Sequence, residues 1–300
     1  MTTSMRTQQS QVTHVILPFG WVDSGLFDES VHERVSPQDT ALRINVTAGA
    51  KLTVDAAIRL LTFAEEWTES GKELEIKFSD SHDMSLARLH RIGYFDFLPA
   101  SAVLVGTTSK NPSDPQGLFE IVQVTGAKPE LPPIIFEQLL MQYSSRVVAM
   151  DVVNIIDELL TNILEHSGRG DGYVGMQLSQ CSRIATIVAS DRGTGLLESL
   201  SSQLQDLEIN DLGKDQLLNK LLNEGLSIKK YRPSETGLSR AARRASKYRP
   251  VISICLEHIH ADIELTPYGY QVTRLVEVES FVKGTTITFD LDLDHFSGKH

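Results

Sequence analysis

The chain has 300 residues, 41% hydrophobic and 22% charged, enough for two domains that each bury a core, with the composition of a soluble globular protein. No apolar run approaches the roughly 20 residues that cross a bilayer; the start, MTTSMRTQQSQVTH, lacks the apolar core of a secretory signal; and Cys181 and Cys255 make no disulfide framework, so a reducing cytoplasm is expected. A net charge of −11, from 28 basic and 39 acidic side chains, argues against nucleic-acid binding without a concentrated basic patch, but leaves room for a nucleotide held by a few amides and local cations.

VTHVILPFGWVD, ending at Asp23, reads as a first strand. From Ala41 to Leu98 the pattern is strand, helix, strand, helix: ALRINVTA, TVDAAIRLLTFAEEWTESGK, ELEIKFSD and MSLARLHRIGYFDFL. This predicts a small α/β unit. Its first helix carries Ala56, Leu60, Phe63, Ala64 and Trp67 on one face and Glu65, Glu66 and Glu69 on the other, so one side is expected to pack on a sheet. TTSKNPSDPQG, residues 107–117, collects turn residues between apolar segments and is expected to link a domain of residues 1–112 to one of 113–300.

After a second break at KPELPP, helical patterns run to His166, followed by the strands GYVGMQLS and RIATIVASD. The chain then turns polar and helical up to Pro250, with an amphipathic DQLLNKLLNEGL and the cations Lys229, Lys230 and Arg232. Three strands are expected to close it: VISICLEHI, YQVTRLVEV and TTITFDLDL.

The chemistry concentrates in residues 151–195. On the helix DVVNIIDELLTNILEHS, Glu158 and Asn162 stand one turn apart on the polar face. A carboxylate can polarise a water or hydroxyl, and an amide oxygen is a hard ligand for magnesium that leaves the phosphates their charge. Asp191 ends a buried strand, where it can accept an exocyclic amine of a purine, and Gly193 and Gly195 let the backbone turn and approach a ligand. Gly237 opens a helix bearing Arg240, Arg243 and Arg244, whose N-terminal amides suit phosphate. Gly284 and Thr285 begin the last strand, with a hydroxyl placed for a second polar contact.

In this order the segment of about residues 130–293 resembles the GHKL superfamily of ATPases and kinases. The resemblance implies an α+β two-layer sandwich, the Bergerat ATP-binding fold, with ATP and Mg2+ as ligands. It assigns Glu158 as general base and Asn162 as magnesium ligand, with Asp191, Gly193 and Gly195 reading adenine and Gly237 in the second glycine box. His166, Leu238 and Thr285 are further nucleotide-site residues by the same resemblance. The second glycine box usually reads GxGL, whereas here it is ETGL, with Glu235 in place of the first glycine.

The N-terminal unit resembles a STAS domain, found in anti-sigma-factor antagonists. In those, a Ser or Thr at the start of the first helix is phosphorylated; here only Thr53 stands at that place, and it also fits the role of helix cap. The resemblances together imply an ATP-binding signalling or regulatory protein whose slow hydrolysis drives lid closure, acting with a protein partner or as a homodimer. The alternatives are a serine/threonine kinase of the anti-sigma-factor type acting on a STAS partner, and an ATP-sensing assembly module without turnover.

Overall fold

The computed structural model describes residues 12–79, 84–106, 119–127, 129, 133–143, 145–179, 182–196, 212–224, 237–256, 258–278 and 281–295. The 107–117 stretch, Cys181, Glu235 and the cations Lys229, Lys230 and Arg232 lie outside these residues. The chain is of mixed α/β class. Among the described residues no helix is long and apolar enough to cross a membrane.

The first half holds a parallel sheet in the order β1-β3-β5-β6, formed by β1 (Thr13–Ile16), β3 (Ala41–Val46), β5 (Glu73–Phe78) and β6 (Ala102–Val105). A separate parallel pair joins β2 (Gly20–Val22) to β4 (Ala50–Leu52). Helices α1 (Ser24–His32), α2 (Val54–Glu69) and α3 (Met84–Arg91) make the connections that parallel strands require. VTHVILPFGWVD thus splits: its first strand joins the sheet and its second pairs with β4. Asp23 caps α1 by accepting from Leu26 N. Thr53 caps α2, accepting from Ala56 N at 3.4 Å while its hydroxyl donates to Val22 O at 2.9 Å.

The second half holds an antiparallel sheet in the order β12-β11-β10-β13-β9-β8-β7. Its strands are β7 (Val122–Thr125), β8 (Asp171–Leu178), β9 (Ile184–Asp191), β10 (Val251–Cys255), β11 (Ile259–Thr266), β12 (Gly269–Glu277) and β13 (Thr286–Asp292). Helices α4 (Pro133–Tyr143), α5 (Arg146–His166), α6 (Lys214–Glu224) and α7 (Gly237–Ala245) cover one face. Among the described residues four strands follow Pro250 rather than the expected three. The additional strand is HADIELT, in which His260, Asp262 and Glu264 alternate with Ala261, Ile263 and Leu265, which pack in or against the core.

Strand alternation makes this sheet two-faced. In β13, Ile287, Phe289 and Leu291 point into the helical layer, while Thr286, Thr288 and Asp290 point to the other face. There the first unit docks. Its core includes Tyr173, Val188 and Val282 from the second half, and α2 lies between the two sheets. The expectation that α2 buries only one side is therefore corrected: every residue from Val54 to Ala64 is buried, Asp55, Arg59 and Thr62 included. Each fully buried Leu, Ile or Phe of this helix contributes roughly 1.5–3 kcal/mol.

Even its acidic face is used. Tyr173 Oη donates to Glu65 Oε1 at 2.7 Å, Lys283 N donates to Glu66 Oε2 at 3.0 Å, and Arg192 pairs with Glu65 and Glu69. Stacked and edge contacts carry an aromatic row from Phe27 through Phe63 and Trp67 to Phe281. At its centre Arg59, 0% exposed, forks onto Asp28 and donates to Thr286 Oγ1 at 3.1 Å.

Candidate functional site

The sequence-derived site residues fall into two groups joined by the end of α5. The first lies between α5 and α7, which run antiparallel. Asp151 anchors one end of this pair through Lys247 Nζ at 2.7 Å and Tyr248 Oη at 2.9 Å. At the other end Arg240 Nη2 donates to Glu158 Oε2 at 2.7 Å. Gly237 opens α7 against the same face of α5: a Cβ added there would lie 2.6 Å from Asn162 Oδ1 and 3.3 Å from Glu158 Oε2. A side chain at this position would force Asn162 or Glu158 to shift, so glycine lets the helix start lie against both. Asn162 Nδ2 is buried without a hydrogen-bond partner among the described residues.

The second group gathers where β9 ends. Asp191 Oδ1 accepts from Gly193 N at 2.7 Å, and Asp191 N donates to Thr285 O at 2.9 Å. Burial pushes the Asp191 carboxyl up to about 6, against the pull of the Gly193 and Thr285 backbone. Gly193 passes so close to α5's end that an added Cβ would sit 1.7 Å from Ser167 O, and Gly284 would meet Asp191 O at 1.8 Å. Gly195 takes a left-handed φ of 80°. The loop then returns to the sheet, Leu196 N donating to Thr285 Oγ1 at 2.9 Å.

These groups share a scaffold. Ser167, the C-cap of α5, donates its N–H to Ile163 O and accepts from Thr194 N at 3.1 Å, so the glycine loop is tied to the turn that follows Asn162. Ile163 also reaches Gly172, which lies against Asp191 Cα. One short length of helix therefore holds both the carboxylate–amide pair and the Asp191 loop. Chemically the arrangement offers a half-buried carboxylate with acceptor capacity, an amide oxygen beside a carboxylate, and the amides of a helix start.

Two residues stand apart from this picture. Leu238 is 3% exposed and belongs to the core of the helical layer, which leaves only its backbone to face a ligand. His166 ends α5, and its side chain lies outside the described residues. Sequence reasoning missed the pairing of Arg240 with Glu158 and the position of Arg192. Arg192 is 7% exposed beside Glu65 at 3.1 Å and Asp171 at 3.8 Å, bridging the glycine loop to α2. Helical spacing on α7 put Arg240 on its basic face, but nothing in sequence separation reveals a contact 82 residues away. Arg192, the second residue of DRGTG, carried no such signal at all.

No protein-family model matches the chain, and no curated protein is significantly similar to it.

Proposed function

We propose that this chain is an ATP-binding regulatory protein of the GHKL type, with a Bergerat-fold unit carrying a STAS-like unit on the back of its sheet. The observation that supports it most is the meeting of Gly237 with Asn162 and Glu158 on a helix whose C-cap holds the Asp191 loop. In this reading Asp191 accepts the exocyclic amine of adenine, Gly193 and Gly195 let the backbone close on the ring, and Thr285 adds a polar contact. The start of α7 receives phosphate. Glu158 orients and deprotonates the attacking water, released from Arg240 for that task.

The residues present fit a magnesium ion bound with the nucleotide. Among the described residues no group of three or more His, Cys, Asp or Glu forms an all-protein metal cage, and magnesium instead is held by one or two protein oxygens with phosphates and water. Asn162, whose amide oxygen lies beside Gly237 at the start of α7, would supply one such oxygen. The ion would neutralise charge on the phosphates and orient them.

A second reading, ATP sensing without turnover, is favoured by the Glu158–Arg240 pair, which occupies the carboxylate that hydrolysis needs. A kinase reading would place the phosphoacceptor on a separate STAS partner, since the Thr53 hydroxyl serves as cap and as donor to Val22 O. Labelled ATP with the wild type, Glu158→Ala and Arg240→Ala separates these. Wild-type release of phosphate that Glu158→Ala abolishes supports hydrolysis; tight binding without release leaves sensing. Label on an added STAS protein identifies the kinase, and no ATP binding at all sinks the three together.

A further inference from the structure

A cavity of about 560 Å3 lies on the face of the seven-stranded sheet opposite the helical layer. It is roofed by the starts of α1 and α2, with Trp21, Asp23 and Asp55 among its lining, and floored by the sheet beyond the point where α2 covers it. Its volume is that of a small-molecule site. We infer that this cavity binds a small organic ammonium compound bearing hydroxyl groups, anchored by the Asp290 carboxylate and the Thr288 hydroxyl.

The strand register builds the floor. One row across the sheet runs Gln177, Thr186, Asp290; the next runs Thr288, Ser253, Asp262, Arg274. Beyond the cover of α2 this face of the sheet is a hydroxyl-rich and charged stripe, most of it half-buried. Its carboxylates are unequally occupied. Asp23 accepts from Leu26 N and Asp55 from Ser24 N, each at 2.8 Å, so both serve helix starts. Asp262 accepts from Ser253 Oγ at 2.7 Å and faces Arg274 at 3.5 Å.

Asp290 has only the Thr186 hydroxyl as donor among the described residues. Among the described residues no cation is paired with it, and Asp55 and Asp23 add negative field. Beside it Thr288 Oγ1, on a residue 4% exposed, is buried with no hydrogen-bond partner among the described residues. A hydroxyl can donate and accept, and a lone carboxylate calls for a positive donor. Water would satisfy the hydroxyl and leave the charge unmatched. A metal ion would lack ligands, since no group of three or more acidic, His or Cys side chains converges among the described residues. An ammonium on a polyhydroxylated or amino-alcohol frame meets both demands. The inference shares no residue with the nucleotide reading and stands without it.

The chain carries its own reporter. Of its two tryptophans, Trp67 is buried and Trp21 lines the cavity, 56% exposed, with Arg88 and Lys51 over its ring at 5.1 and 5.3 Å. The test titrates the full chain with glucosamine and with 2-amino-1,3-propanediol, using glucose and glycerol as uncharged controls. Calorimetry and Trp21 fluorescence follow binding. The expected result is saturable binding of at least one amine and of neither control, weakened about tenfold or more in Asp290→Asn and several-fold in Thr288→Val. Both variants keep side-chain volume, and thermal melts verify that they fold. Absence of saturable binding by both amines overturns the inference, as does equal binding of the controls or unchanged affinity in folded Asp290→Asn.

Discussion

Arg59→Met tests whether the buried ion pair between α1 and α2, which also reaches the second sheet through Thr286, must be kept whole. Arg59 Nε lies 3.1 and 3.0 Å from the two Asp28 oxygens, Nη2 lies 2.7 Å from Oδ2, and Nη1 reaches Thr286 Oγ1 at 3.1 Å. Burial opposes the Arg59 charge, the adjacent Asp28 carboxylate more than offsets this, and the pKa is raised. Methionine keeps much of the apolar stem but removes the fork, leaving Asp28, with 6% of its side chain exposed, as an unpaired buried anion. Breaking such a pair from one side costs about 3–5 kcal/mol, a large share of the roughly 5–15 kcal/mol that holds a protein folded. Replacing both partners, as Asp28→Leu with Arg59→Met, removes the stranded charge and is expected to recover at least about 2 kcal/mol. Urea unfolding followed by circular dichroism measures all three proteins. Because Thr286 also bonds Ser190 at 2.7 Å, next to Asp191, the single variant is further expected, on the proposed nucleotide reading, to weaken ATP binding. A loss below about 1 kcal/mol in the single variant, or a double variant no more stable than the single, refutes the reasoning.

Asp191→Asn is expected to stabilise the free protein at pH 7 and, on the nucleotide reading proposed above, to weaken ATP binding. The folded carboxyl, near 6 against an ordinary 3.8, holds a proton that the unfolded chain has released between those values, so its contribution to stability falls as pH rises through that window. Its ionisation at pH 7 costs at most about 3 kcal/mol; a variant melting below wild type counts against the assignment, and wild-type ATP affinity should drop as pH falls through about 6. Asp290→Asn follows the same sign, since burial also raises that carboxyl to about 6: its gain in urea midpoint is largest at pH 7 and disappears towards pH 4, and a gain independent of pH would contradict a buried charge. Gly193→Ala places a methyl against the fixed Ser167 carbonyl, with no rotamer to relieve it; a loss of about 1–3 kcal/mol or more is expected by calorimetry, and a neutral result would show that the loop is not seated there.

Much of the candidate site was legible because its residues are close in sequence or mark element ends. Helical spacing put Glu158 and Asn162 on one face, and both are on one face of α5. Asp191 stood where an apolar run stopped, and β9 stops there. Gly237 preceded a basic amphipathic run and begins α7. The elements passed over were short or half-polar: β4 has three residues, β6 and β7 have four each, and β11 alternates charged residues with apolar ones. Such strands gain their stability from neighbours rather than from their own composition.

The amino-acid order by itself determined local periodicity, and with it α2, α5, most strands and the candidate carboxylate, amide and glycines, because these depend on neighbours within one or two turns. Only the tertiary structure decided that α2 lies between two sheets, that Arg59 is a buried link rather than a surface charge, and that Arg240 pairs with Glu158. It alone set the polar faces of β10, β11 and β13 side by side as the floor of a cavity. These are contacts between residues far apart in the chain, and they follow from which strands pair and in what register, a choice set by the packing of the whole rather than by any segment.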